Sequence, residues 1–151
     1  MGWTICRKPD SISAWVKASL SWESDTHRNT WSRWRVPSRP GGMGDSAAWD
    51  PVGGRLISLA PGNAGRMETW AYSPATGKWE DLKPANPPPP LLSRLNYDSV
   101  NDVMIGFSSE NARALVAWVY HLRHNKWQQM PAVNPAPRYH TRHIRSRYDA
   151  G

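Results

Sequence analysis

The amino-acid sequence predicts an all-β fold made of four-stranded antiparallel sheets, each drawn from about 48 residues of a repeating pattern. Trp22, Trp70 and Trp118 stand 48 residues apart, and Trp31, Trp79 and Trp127 repeat the same interval. Trp49 and Tyr97 share that spacing, and each is followed by an aspartate, Asp50 and Asp98. Between these aromatics lie short apolar or alternating runs bounded by turn residues, with no helical periodicity.

The elements follow in order along one unit. Residues 46–50 and 94–98 form a first strand ending in the aromatic-Asp pair. Pro51-Val52-Gly53-Gly54 and Ser99-Val100-Asn101-Asp102 then supply residues that tolerate positive φ, as a tight hairpin requires. A short apolar run comes next, Leu56-Ile57 or Val103-Met104-Ile105, of the kind expected for a buried central strand. A variable loop separates it from an alternating strand that puts Trp70 and Tyr72, or Trp118 and Tyr120, on one face. Pro74-Ala75-Thr76-Gly77 and Arg123-His124-Asn125 form the next turn, and a last short strand carries Trp79 or Trp127. In the first third, Trp22 and Asn29-Thr30-Trp31 fall on the same frame, but upstream of Ser21 the correspondence disappears. Proline-rich connectors join the units: Pro37 and Pro40, Pro84 with Pro87–Pro90, and Pro131 with Pro135 and Pro137. Proline cannot donate to a ladder, so it ends one sheet and stiffens the crossing to the next.

This pattern resembles the kelch repeat of β-propellers. The residues that carry the resemblance are Tyr97-Asp98, Asn101-Asp102-Val103 with Phe107, and Trp70-x-Tyr72 with Thr76-Gly77-x-Trp79. Pro137-Arg138-x-His140 is similar to the start of a further unit. One departure stands out: the glycine pair that usually closes the second kelch strand is replaced by Ala60-Pro61 and Ser108-Ser109. The resemblance implies a partial propeller, organised as a divergent or non-repeat segment 1–20, the second half of a blade at 21–36, complete blades at 46–83 and 94–131, and the opening of a further blade or a basic tail at 137–151. Closed propellers have about 4–8 blades, so the chain is expected to be a fragment, or to close its ring by self-association or with blades from another chain.

The structural repeat residues are Trp22, Trp31, Trp49, Trp70, Tyr72, Trp79, Tyr97, Trp118, Tyr120 and Trp127. Buried stacking between sheets is the expected role of Trp70, Trp79, Trp118 and Trp127. An indole that buries about 150–250 Å² gains at most about 4–6 kcal/mol, and Trp→Ala at such a site costs about 3–5 kcal/mol.

Chemistry is harder to read. Cys6 is the single cysteine, which excludes an intrachain disulfide and a cysteine-based zinc site. His140-x-x-His143 has metal-like spacing without a third ligand in view, and His121 and His124 flank a hairpin turn. Kelch propellers include copper oxidases resembling galactose oxidase, whose chemistry needs a tyrosine cross-linked to a cysteine; Cys6 lies outside the repeats, so no such site is expected. No catalytic residue, cofactor or metal is therefore assigned. The net charge of +7 gathers in part at Arg138, Arg142, Arg145 and Arg147, a stretch read as a solvated tail in preference to a nucleic-acid surface. No secretory signal or membrane span is read, which leaves a cytoplasmic location as the default. The expected function is a non-enzymatic module recognising a protein partner through the loops at 61–68 and 108–115, with Asn63, Arg66, Glu110, Asn111 and Arg113 as candidate contacts. The alternative is a piece of a carbohydrate-binding or galactose-oxidase-type propeller whose active blades lie elsewhere.

Overall fold

In the computed structural model the described residues are all-β, forming three four-stranded antiparallel sheets in simple up-and-down order. The structure describes the backbone of residues 4–8, 11–16, 20–25, 28–35, 46–90, 92–110 and 114–131, and side chains within 28–32, 46–63, 65–90, 92, 94–108 and 115–131. The segment 137–151 with its arginines and histidines, and the side chains of Cys6 and Trp22, lie outside the described residues. No helix among the described residues is long and apolar enough to cross a membrane.

The first sheet comprises β1 (Thr4–Lys8), β2 (Ser11–Val16), β3 (Leu20–Asp25) and β4 (Thr30–Arg35). The second comprises β5 (Ser46–Asp50), β6 (Arg55–Pro61), β7 (Met67–Ser73) and β8 (Lys78–Asp81). The third comprises β9 (Ser93–Asp98), β10 (Val103–Glu110), β11 (Ala114–His121) and β12 (Lys126–Gln129). The central strands run further than their short apolar runs suggest. Ser58 on β6 is fully buried, and Gly106 on β10 brings the backbone so close to Leu92 that an added Cβ would meet its side chain at 3.1 Å.

Strand register carries the repeat into three dimensions. Trp49 pairs with Leu56, and Tyr97 with Met104. Tyr72 pairs with Leu56 and Trp79, as Tyr120 does with Met104 and Trp127. In the first sheet Ser24 opposes Trp31 and Trp22 opposes Arg33, the register of Tyr72 with Trp79 and of Trp70 with Asp81. Backbone conformation repeats too: Asn29, Gly77 and Asn125 all have positive φ, as do Gly54 and Asp102.

The frame fails upstream of Ser21 for a geometric reason. Trp22 pairs with Ala14, whereas its counterpart Trp70 pairs with Ser58. The separations are 8 and 12 residues (22 − 14 and 70 − 58), so the β2–β3 hairpin is four residues tighter. Likewise Lys8 pairs with Ser11 where Asp50 pairs with Arg55, a hairpin shorter by two residues. The segment 1–20, read from sequence as divergent or non-repeat, thus supplies two strands to the first sheet. Arg7 and Lys8 occupy the strand positions held elsewhere by the aromatic-Asp pair, and this erases the signature while keeping the pairing.

The second and third sheets meet face to face. β5 lies beside β1 and beside β9, so the opening strands of the three sheets gather along one edge. Alternation divides each sheet into two faces. Ala48, Ile57, Leu59 and Ala71 of the second sheet pack with Leu95, Met104, Tyr120 and Trp127 of the third in one core, joined by Leu92 from the connector. Ala47, Leu56 and Tyr72, with Trp49 and Trp79 partly covered, form a second cluster on the opposite face of the second sheet. Hydrogen bonds also join the second and third sheets and their connections, among them Trp127 Nε1–H to Thr69 Oγ1 at 2.9 Å, Leu95 N–H to Ser46 Oγ at 2.6 Å, and the Asn125 side-chain amide to the Leu82 carbonyl.

Candidate interaction surfaces at the two ends of the sheets

The up-and-down order puts the turns 51–54, 74–77, 99–102 and 122–125 at one end of the second and third sheets, and the β6–β7 and β10–β11 connections at the other. At the turn end the repeated aspartates are structural anchors. Asp50 is buried; its carboxylate accepts from the Gly53 N–H at 2.8 Å and from Arg55 Nε at 3.0 Å. Asp98, also buried, accepts from the N–H groups of Val100 (2.9 Å) and Asn101 (3.3 Å) and from the Asn101 side-chain amide at 2.7 Å. A carboxylate that takes several N–H donors fixes a turn that would otherwise leave them bare.

A groove of about 360 Å³ opens beyond the third sheet, between the turns 99–102 and 122–125. Val100, Val103 and Leu122 contribute apolar surface, and His121, Arg123 and His124 contribute polar rim. Arg123 Nε reaches the Asp102 carboxylate at 3.0 Å, tying the two turns together. The other Asp102 oxygen accepts from the Tyr97 hydroxyl at 3.0 Å. Burial, reinforced by this bond to a carboxylate and by the charges of Asp102, Asp50 and Asp98, pushes the Tyr97 phenol up to about 12. The His121 and His124 rings lie 6.4 Å apart, and His121 Nε2 sits 3.2 Å from Gln128 Oε1. No group of three or more metal-ligating side chains occurs among the described residues. Val52 and Val100, 48 residues apart, point into solvent with exposures of 67% and 78%. Neither valine nor the groove is marked by the aromatic pattern; the signal available in the sequence was an apolar residue at the second place of each turn.

At the loop end the two sheets differ. The β6–β7 connection makes a single 3-10 turn at Asn63–Gly65, closed by the Gly62 N–H donating to the Arg66 carbonyl at 2.7 Å. Asn63 and Arg66 are exposed on it. In the third sheet the paired strands run on to Glu110 and Ala114. Glu110, expected in a loop, thus ends a strand, and Asn111 and Arg113 lie outside the described residues. The in-register indoles borrow different partners here: Trp70 Nε1–H donates to Glu68 at 2.9 Å, and Trp118 Nε1–H to Ser108 at 3.1 Å.

The aromatics themselves are graded. Tyr120 and Trp127 are fully buried with ring centroids 4.9 Å apart, and Tyr72 and Trp79 stand at 5.1 Å with Trp79 partly covered. Trp118 and Tyr97 pack at the margin of the shared core, and Trp49 beside the second cluster. Trp70 is half-buried, whereas Trp31 is 54% exposed.

No protein-family profile and no curated protein sequence matches the chain. Among solved structures, TolB from Acinetobacter baumannii, a β-propeller protein, is similar over 90% of this chain with a TM-score of 0.60 and 12% identity. The matched part is 33% of the TolB chain, so this chain spans a third of that protein's length. At such identity the likeness concerns fold alone, and the fold is β-propeller-like.

Proposed function

We propose that this chain is a non-enzymatic recognition module of kelch-like type, which binds a protein partner through the loops at one end of its sheets. The observation that supports this reading is the contrast between scaffold and loop. The second and third sheets share one strand register from Trp49 to Trp79 and from Tyr97 to Trp127, apart from a shift in the β9–β10 pair between Ile105 and Phe107. Their β6–β7 and β10–β11 connections nevertheless differ in length of pairing, in sequence and in the partners they offer the indoles. Rigid sheets that carry divergent loops suit recognition, because a loop can change without disturbing the core beneath it.

The test is a protein-capture comparison with the intact chain immobilised. Replacing Asn63 and Arg66 together with alanine should lower retention of a specific partner at least about tenfold, the loss expected when about 1.4 kcal/mol of contact is removed. Replacing Val100 and Arg123 at the opposite end should leave that retention unchanged. If both double variants retain the partner as the parent does, the loops are not the recognition surface.

A further inference from the structure

We propose that two copies of this chain stack head to tail, the open face of the β9–β12 sheet in each receiving the β1–β4 sheet of the other, so that six sheets close a ring. This goes beyond loop recognition and does not depend on it. The contact between the second and third sheets is the template. There Ile57, Leu59 and Ala71 form a seat that the third sheet covers with Met104, Tyr120 and Trp127, leaving Ile57 and Leu59 at 0% exposure.

Forty-eight residues on, the same seat recurs on the third sheet as Ile105, Phe107 and Val119. Val119, on the inner strand, is buried at 8% exposure, but Ile105 and Phe107 beside it are only half-buried, and no described element packs on them as the third sheet packs on Ile57 and Leu59. The matching projection lies at the other end of the described fold. Trp31 on β4 opposes Ser24 on β3 in the register that Trp79 and Trp127 have with their tyrosines. Its counterpart Trp127 is wholly buried, whereas Trp31 is 54% exposed.

A seat and a projection are different surfaces, so their union is head to tail and must either close or run on as a filament. The described residues of each copy form three sheets. Two copies make six, inside the range of about four to eight at which such rings close, and three copies exceed it. The seat on the third sheet differs at one telling place. Thr69, whose hydroxyl receives the Trp127 indole N–H, is matched by Ala117 in the strand register. The contact between copies therefore lacks a hydrogen bond that the internal contact has, which makes it the weaker and reversible one.

Sedimentation equilibrium of the full chain across the micromolar range tests this, one copy being 17.1 kDa. The expected result is a species of twice that mass. Trp31→Glu and Phe107→Lys should each give a monomer with an unchanged far-ultraviolet circular dichroism spectrum. Mixing the two variants should restore dimer, because one contact of the mixed pair is native and the other sets glutamate against lysine. Ala117→Thr should tighten the parent dimer by about fivefold per contact, the effect of one added hydrogen bond. A parent chain that stays monomeric would overturn the proposal, a further repeat of a longer polypeptide then being the natural occupant of the seat. A dimer indifferent to both charged variants would overturn it equally, since the copies would then meet through another surface.

Discussion

The Trp127 indole shows how one side chain joins two repeats. Its ring is wholly buried against Tyr120 and the shared core, and its N–H donates to Thr69 on the neighbouring sheet. Replacing Thr69 with valine keeps volume near the parent's but leaves a buried donor unmatched. Chemical denaturation should show a loss of about 1–3 kcal/mol, although Thr69 belongs to no motif. Trp127 was legible in the sequence because tryptophan in strict register leaves a trace; Thr69 was not, because small hydroxyl residues are common and its role depends on a neighbour 58 residues away. Asp50 and Asp98 fall between these cases. The aromatic-Asp dipeptide marked the strand end, yet its chemistry became visible only with the turn amides and side chains around each carboxylate.

The β7–β8 and β11–β12 hairpins use different residues to reach one conformation. Gly77 has φ +66° and Asn125 has φ +46°, both in the left-handed region. Nothing lies within 4 Å of a Cβ built at Gly77, so any cost of a side chain there is conformational. Gly77→Ala should therefore lower stability by about 1–2 kcal/mol, whereas Gly77→Asn should stay within about 0.5 kcal/mol because asparagine tolerates this region; paired thermal melts check both. Elements of this kind were legible wherever hairpin lengths held constant. β1 and β2 escaped because shorter hairpins moved them off the frame and because Arg7-Lys8 replaced the aromatic-Asp pair. Pairing tolerates both changes, since main-chain hydrogen bonds do not read side chains; a fixed-period comparison tolerates neither.

At the scale of the whole molecule, the packing of sheets on sheets decides how the fold meets alkali. Burial pushes the Tyr120 phenol up to about 12, with Arg55 opposing the shift and Asp50 adding to it, and Tyr97 reaches about the same value. An unfolded tyrosine ionises near 10. The native state thus holds its phenolic protons more tightly, so the stability these groups contribute is intact below about pH 10 and falls as pH climbs towards 12. Denaturation midpoints should be level from about pH 8 to 9.5 and drop above about pH 10.5, and Tyr97→Phe with Tyr120→Phe should flatten that drop. How the sheets stack was foreseeable only in outline, because face-to-face order rests on which side of each strand is apolar and on contacts far apart in the chain. The outermost strands add a last point. β8 and β12 are only four residues long, and Lys78, Glu80, Lys126, Gln128 and Gln129 on them face water. Short, hydrophilic borders make poor templates for an incoming strand, so the second and third sheets resist fibrillar growth sideways along β8 and β12.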